Sequence, residues 1–133
     1  MSEKIVYRDY DPQDRAFVFA TWLRGLRFGT LHPNLFREIP SDIYYECYHK
    51  VIEALIQKPT TKINIACFAS EPSCILGFCV YETDIIHWVY VKKIWRQMGI
   101  AKRLVPSASF MTHYTDMAMQ LKPEGMVFNP FKI

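Results

Sequence analysis

Apolar residues recur along this chain with two periods, and each change of period marks an element. Lys4 to Tyr7 reads as a short first strand. Asp11-Pro12-Gln13-Asp14 opens a helix, with Asp11 as N-cap, proline at the first helical position and an acid in the first turn. Its continuation, Ala16 to Leu23, is apolar nearly all round, which places it between a sheet and a second element. Gly25, Gly29, Pro33 and Pro40 make Arg24 to Pro40 irregular. Ser41 then caps a helix whose stripe is Tyr44, Cys47, Tyr48, Val51, Ala54 and Leu55, ended by Lys58-Pro59. From Lys62 to Phe68 the period drops to two, with Ile63, Ile65 and Cys67 alternating against Asn64, Ala66 and Phe68. Ser70 to Ser73 is a turn, Cys74 to Tyr81 a strand in which Gly77 marks a bulge, and Glu82-Thr83-Asp84 a tight reversal. Three strands joined by such short turns form an antiparallel meander.

The third of them, Ile85 to Val91, is a run of β-branched and aromatic residues that reads as a strand buried on both faces. Lys92 to Met98 is cationic with Trp95 embedded, and Ile100, Ala101, Leu104 and Val105 resume at helical spacing. A helix is expected to begin between Arg96 and Gly99 and to stop at Pro106. Ser107-Ala108-Ser109 links it to a strand at Phe110 to Tyr114. Asp116 caps a brief helix carrying Met117, Met119 and Leu121, and Met126 to Asn129 starts the last strand. The order is βααβββαβαβ, an α/β layout of the α+β type with a mixed, mostly antiparallel sheet flanked by helices, over one domain of 133 residues.

A strand feeding a helix start through a basic loop is an anion site, because the first helical amides lack internal partners and sit at the positive end of the dipole. Gly99 permits φ > 0 and a close ligand, Ala101 keeps the next turn small, and Lys92, Lys93, Arg96, Lys102 and Arg103 add positive potential. On spacing alone a helix C-cap or solvated turn fits equally well. Neither the P-loop pattern nor the glycine-rich dinucleotide fingerprint occurs. Arg96-Gln97-Met98-Gly99-Ile100-Ala101, five residues after Tyr90-Val91, resembles the Q/R-x-x-G-x-G/A loop of the GNAT superfamily of N-acetyltransferases. The resemblance is specific over Leu76 to Val105 and extends to the whole chain only as element order. It implies acetyl-CoA as co-substrate, with the pyrophosphate on the amides of Arg96, Gln97, Met98, Gly99, Ile100 and Ala101 and the pantetheine arm along Val89, Tyr90 and Val91.

Acyl transfer to an amine requires a held thioester, a deprotonated nucleophile and an oxyanion donor. The resemblance implies that backbone supplies the first and third. For the second, His87 on the central strand has a suitable pKa range and shares the face of Val89 and Val91 by alternation, although a histidine satisfied within the sheet fits the same pattern. Glu82 and Asp84 are alternatives whose turn position favours simple solvation. His113 and Tyr114 sit late on the next strand, where this family's cofactor sulfur lies, and Tyr114 is placed to protonate a thiolate. Many GNAT enzymes carry a tyrosine on the following helix, and Asp116 to Lys122 has none.

A net charge of +3 suits an anionic ligand and falls short of a dedicated nucleic-acid-binding domain. Half the residues are hydrophobic, which excludes disorder. Cys47, Cys67, Cys74 and Cys79 form no C-x-x-C pair, so no metal is expected, and the apolar neighbours of Cys67, Cys74 and Cys79 point to reduced thiols in the cytoplasm. No signal segment or membrane span is expected. The leading expectation is an acyl-CoA-dependent N-acyltransferase. Its acceptor is open, with the cationic, aromatic Arg24 to Pro40 loop (Arg27, Phe28, His32, Phe36, Arg37) favouring an acidic partner or merely plugging the core. A degenerate GNAT-fold binding protein, displaying Phe28, Phe36 and Trp95, is the alternative, and a nucleic-acid-modifying transferase the third. Monomer and homodimer are both compatible with the sequence.

Overall fold

A computed structural model describes residues 4–29, 35–113 and 126–133. Its six strands form one sheet in chain order: β1 (Ile5–Asp9), β2 (Lys62–Phe68), β3 (Glu71–Glu82), β4 (Asp84–Val91), β5 (Ala108–Met111) and β6 (Val127–Phe128). β1 to β4 are antiparallel, and β5 joins β4, and β6 joins β5, in parallel. Among the described residues three α-helices accompany them: α1 (Arg15–Phe28), α2 (Ser41–Gln57) and α3 (Ile100–Leu104). This is the mixed, mostly antiparallel sheet expected of the sequence. The helix expected from Asp116 lies outside the described residues.

The alternation of β2 sorts its side chains onto two cores. Ile63, Ile65 and Cys67 join Phe78, Val80 and Trp88 under α1 and α2, with Val18, Trp22, Tyr44, Ile52 and Leu55 descending from the helices. Ala66 faces the other way, with Leu76, Cys79, Val89, Val91 and Met111, beneath Ile100 and Leu104 of α3. Each aliphatic or phenyl side chain buried this way contributes roughly 1.5–3 kcal/mol before chain entropy is counted.

Several boundaries differ from the sequence pattern, each for a packing reason. Pro12–Asp14 is a separate 3₁₀ turn closed by the Asp11 and Asp14 side chains, and α1 proper runs on through Gly25 to Phe28. Gly25 does not end the helix. A Cβ there would lie 3.0 Å from Cζ2 of Trp88, so the glycine lets α1 settle on β4. Arg37 donates to the carbonyls of Arg27 and Phe28 (both 3.0 Å), and Phe36 packs edge-on against Tyr44 and Tyr48. Phe36 thus plugs the core, while His32 lies outside the described residues. The N-cap of α2 is Pro40, with Ser41 already helical, and Ile52 is buried where Cys47 and Ala54 were expected and are exposed. Of the cysteines, Cys67 and Cys79 are buried, Cys74 is half-buried, and all four are free.

β3 begins at Glu71 and β5 at Ala108, inside the segments read as a turn and a linker. The bulge expected at Gly77 falls beside it: Ala66 pairs with Gly77 and Cys67 with Ile75, leaving Leu76 as the extra residue. Gly77 answers a different need. A Cβ there would stand 2.5 Å from the Tyr90 carbonyl oxygen, inside the β3–β4 ladder. Gly77→Ala is therefore expected to cost about 1–3 kcal/mol through forced separation of the strands. The urea midpoint reads it directly, and an unchanged midpoint would mean that the two strands do not approach as closely as described.

Candidate active site

Between Val80 and Tyr81 the β3–β4 register slips: Val80 faces Trp88 and Tyr81 faces Ile86, so His87 is an extra residue without a partner on β3. On the other edge β5 pairs with Asp84, Ile85 and Ile86, and the last bond is from the Thr112 amide to the Ile86 carbonyl at 3.0 Å. From Trp88 to Val91, β4 keeps β3 but has no β5 partner among the described residues. The two parallel strands part at the bulge.

The bulge also overturns the strict alternation expected along β4. Ile86 and Val89 both lie on the α3 side, Trp88 on the other, and the His87 imidazole joins neither apolar cluster. It is held instead between two polar groups. His87 Nε2 lies 2.6 Å from Glu82 Oε2, and its Nδ1 2.9 Å from Thr112 Oγ1. Thr112 Oγ1 is in turn 2.9 Å from His113 Nδ1, whose Nε2 meets the Tyr48 hydroxyl on α2. Lys58 and Thr60 donate to Glu82 from the far end. The edges of Trp22, Trp88 and Tyr48 enclose the His113 ring, with centroids 5.4, 5.8 and 6.0 Å away.

Burial sets the charges in this chain. It drives His87 down from the ordinary imidazole range, against the pull of Glu82, and pushes His113 down to about 3, with His87 opposing a second positive charge. Burial alone would raise Glu82, but hydrogen bonds from Thr60, Lys58 and His87 hold it down at about 2. Near neutral pH both imidazoles are uncharged and Glu82 is a carboxylate.

The expected catalytic pair His87 and His113 is thus brought into one network, and Tyr114 lies outside the described residues. Glu82 is buried and bonded, not a solvated turn carboxylate. Asp84, at φ 66°, is taken up by the Ser109 amide at 2.8 Å and anchors β5. Sequence reasoning missed Thr112 and the polar role of Tyr48. Only the Glu82-to-His87 link had a signal, since a tight hairpin returns residue 87 beside residue 82.

At the far end of β4, Val89 and Val91 are buried on the α3 side and Tyr90 is half-buried against Phe17 and Phe78. The chain then turns through a 3₁₀ segment, Lys93–Trp95, and Arg96 Nε donates back to the Val91 carbonyl at 2.8 Å. Gln97 and Gly99 both adopt left-handed backbone, at φ 66° and 80°, Met98 is exposed, and Ile100 and half-buried Ala101 begin α3. Among the described residues, the amides of Gln97, Met98 and Gly99 donate to no protein acceptor. α3 itself has five residues, so any anion here is held by loop amides and basic side chains, with little help from a helix dipole. Lys93 and Lys102 are exposed, Lys92 lies over Phe17, Arg103 over Tyr7, and Trp95 is packed against Phe68, not displayed.

A cavity of about 570 Å³ opens elsewhere, between the end of β1 and the start of β3, and is lined by no member of the His87 network and no residue of the loop after β4. Its polar wall is already committed, with Arg8 forked onto Asp14 at 2.8 and 2.9 Å.

No family model and no curated protein matches the chain. Among solved structures it is similar to a provisionally assigned acetyl transferase from Pyrococcus furiosus, with a TM-score of 0.61 and 18% identity over 95% of this chain and 82% of that protein. The chain has the GNAT fold. A GNAT-family acetyltransferase from Staphylococcus aureus aligns with a TM-score of 0.49 and 15% identity over 76% of this chain and 61% of its own. A provisionally assigned Salmonella typhimurium acetyltransferase with its cofactor acetyl-CoA gives 0.45 and 13% over 76% and 58%. This GNAT-fold chain therefore spans about three-fifths of the length of those last two proteins. Among the described residues no helix is long and apolar enough to cross a membrane, and no group of three His, Cys, Asp or Glu side chains is arranged to hold a metal.

The two neutral imidazoles predict acid sensitivity. The unfolded chain binds protons near the ordinary histidine value of 6.5, which folded His113 does not until about pH 3, so this stability is full above pH 6.5 and is lost as pH falls. Glu82 acts in the same direction further down, losing its contribution between the ordinary 4.5 and about 2. From pH 7 to pH 5 His113 alone should withdraw about 2 kcal/mol, a fall in Tm of roughly 5–10 °C. A Tm flat across this interval would show that water or a cation reaches the imidazoles.

Proposed function

We propose that the protein is an acyl-CoA-dependent N-acyltransferase, moving an acetyl group from acetyl-CoA to a primary amine. The observation that carries this reading is the parting of β4 from β5 after Ile86, which leaves one edge of Trp88–Val91 without a strand partner among the described residues and leads into a loop whose amides are likewise unpaired among them. An extended pantetheine arm carries amide groups suited to such a strand edge, by the same bonding that adds a strand to a sheet. A pyrophosphate suits the loop. Its backbone is left-handed at Gln97 and Gly99, its amides have no protein acceptor among the described residues, and a Cβ on Gly99 would meet nothing within 4 Å, so there is room for a ligand. Acyl transfer in this arrangement needs no metal. Val89, Tyr90 and Val91 would hold the arm, and Arg96 to Ala101 the diphosphate. Arg27 near the end of α1 and Arg37 both bond to backbone carbonyls and so support an acidic acceptor less than the sequence implied. The one-turn α3 favours a second reading, a GNAT-fold protein that binds without turnover.

Acetyl-CoA and CoA at a hundred times their dissociation constants should each add roughly 2.7 kcal/mol. That raises Tm by about 5–10 °C, and ATP should not match it. Gly99→Leu, which meets no neighbour but fills the space above the loop and strains the backbone by about 1–2 kcal/mol, should abolish the shift in a folded protein. If Gly99→Leu responds to acetyl-CoA like the unaltered chain, the loop is not the site.

A further inference from the structure

The five-member polar chain between α2 and the β3–β4 hairpin can be hydrogen-bonded in only one direction. Glu82, as a carboxylate receiving Lys58 and Thr60, can only accept, so His87 must donate to it from Nε2. Neutral His87 then presents a lone pair at Nδ1, and the Thr112 hydroxyl must donate to it. The Thr112 oxygen is left to accept from His113 Nδ1–H, and His113 Nε2, now the lone-pair side, accepts from the Tyr48 hydroxyl. Every donor points from Tyr48 toward Glu82. The members come from α2, β3, the β4 bulge and the end of β5, and all but Tyr48 are over nine-tenths buried.

We infer that Tyr48, His113, Thr112, His87 and Glu82 form a reversible proton relay in which Tyr48 is the catalytic acid–base that meets the acceptor amine, and the other four are relay residues acting through it. This rests on the acyltransferase reading. The protons balance as follows. After the amine nitrogen bonds to the thioester carbonyl carbon, its surplus proton passes to Tyr48 Oη as the tyrosine proton moves to His113 Nε2. His113 gives its Nδ1 proton to Thr112, Thr112 gives its own to His87 Nδ1, and His87 gives its Nε2 proton to Glu82. When the C–S bond breaks, Tyr48 passes its new proton to the thiolate sulfur and the chain runs back from Glu82, restoring every starting tautomer. The net transfer is from nitrogen to sulfur, and no cation is left in the core. The tyrosine absent from the Asp116 to Lys122 segment is thereby replaced from α2.

The test begins with ¹⁵N-histidine NMR of the whole chain at pH 7, which should show His87 as the Nε2–H tautomer and His113 as the Nδ1–H tautomer. The opposite tautomer at either ring, or a cationic imidazole, overturns the relay. CoA release from acetyl-CoA over a panel of primary amines then compares the unaltered chain with Thr112→Val, which keeps the shape and removes the middle link, and with Tyr48→Phe, at the half-buried end. Both should lower kcat at least tenfold, leave KM for acetyl-CoA within twofold, and remove the solvent deuterium effect on kcat. Unchanged kcat in either folded variant, or acetyl-CoA binding without any turnover by the unaltered chain, overturns the catalytic use of the relay. Absence of an acetyl-CoA thermal shift instead defeats the cofactor reading and leaves the tautomers to decide whether the relay exists.

Discussion

β3 has no residue to match His87, and a strand with one residue too many must either unpair or bend. β4 bends, and the consequences spread in three directions. Its C-terminal half swings away from β5, which is why parallel pairing stops at Ile86. The phase of its side chains slips by one, so that Trp88 turns toward the helices and stacks on Trp22 at 5.5 Å, nearly parallel. His87 itself is carried toward Glu82 and Thr112. A strand of regular register, in phase with Ile86, would have sent His87 into the cluster under α1 and α2 and Trp88 beneath α3.

A buried line of five polar side chains is tolerable only if complete. A single unmet donor or acceptor in such a setting costs about 1–3 kcal/mol, and a buried carboxylate more. Here Glu82 has three donors, both imidazoles are bonded at both nitrogens, and the line is anchored in an aromatic cage. By contrast, Trp22 and Trp88 each bury an indole N–H without a partner among the described residues. The pair of tryptophans is therefore held by stacking and apolar area against a polar loss, whereas the histidines beside them are held by directed bonds. α2 reaches the sheet through both kinds of contact: Tyr44 donates to the Leu23 carbonyl at 2.6 Å, and Tyr48 closes the line at His113.

What could be read from the sequence follows from which interactions are local. β2 is recovered residue for residue, because its alternation is uninterrupted and both faces are apolar. The α1 boundary was misplaced because Gly25 looks like a terminator in one dimension, and only the opposing Trp88 ring reveals it as a point of close approach. The loop from Lys92 to Ala101 was legible as an irregular basic connection between a strand and a helix since its signal lies within ten residues, yet the five-residue length of α3 was not, and with it went most of the expected dipole. His87 and His113 were both picked as chemistry-bearing, but their connection runs through Thr112, an unremarkable residue until β4 and β5 are set in register. Parallel register is a long-range property, fixed here by Ile86 opposite Met111, and no short pattern encodes it.

The loop after β4 carries one further sign of a role beyond stability. Gln97 holds φ at 66°, a conformation that costs a non-glycine residue about 1–2 kcal/mol. Nothing in the packing compensates it locally: Gln97, Met98 and Gly99 are exposed, and their amides bond to no protein group among those described. A loop selected for stability alone would place glycine or asparagine there, or shorten the connection. Arg96, tied to the Val91 carbonyl, and Trp95, seated on Phe68, instead brace the loop at its entrance, and Ile100, buried beneath α3, braces its exit. Braced at both ends and strained between, the segment keeps three amides without a protein acceptor among the described residues, which is the feature the diphosphate proposal builds on.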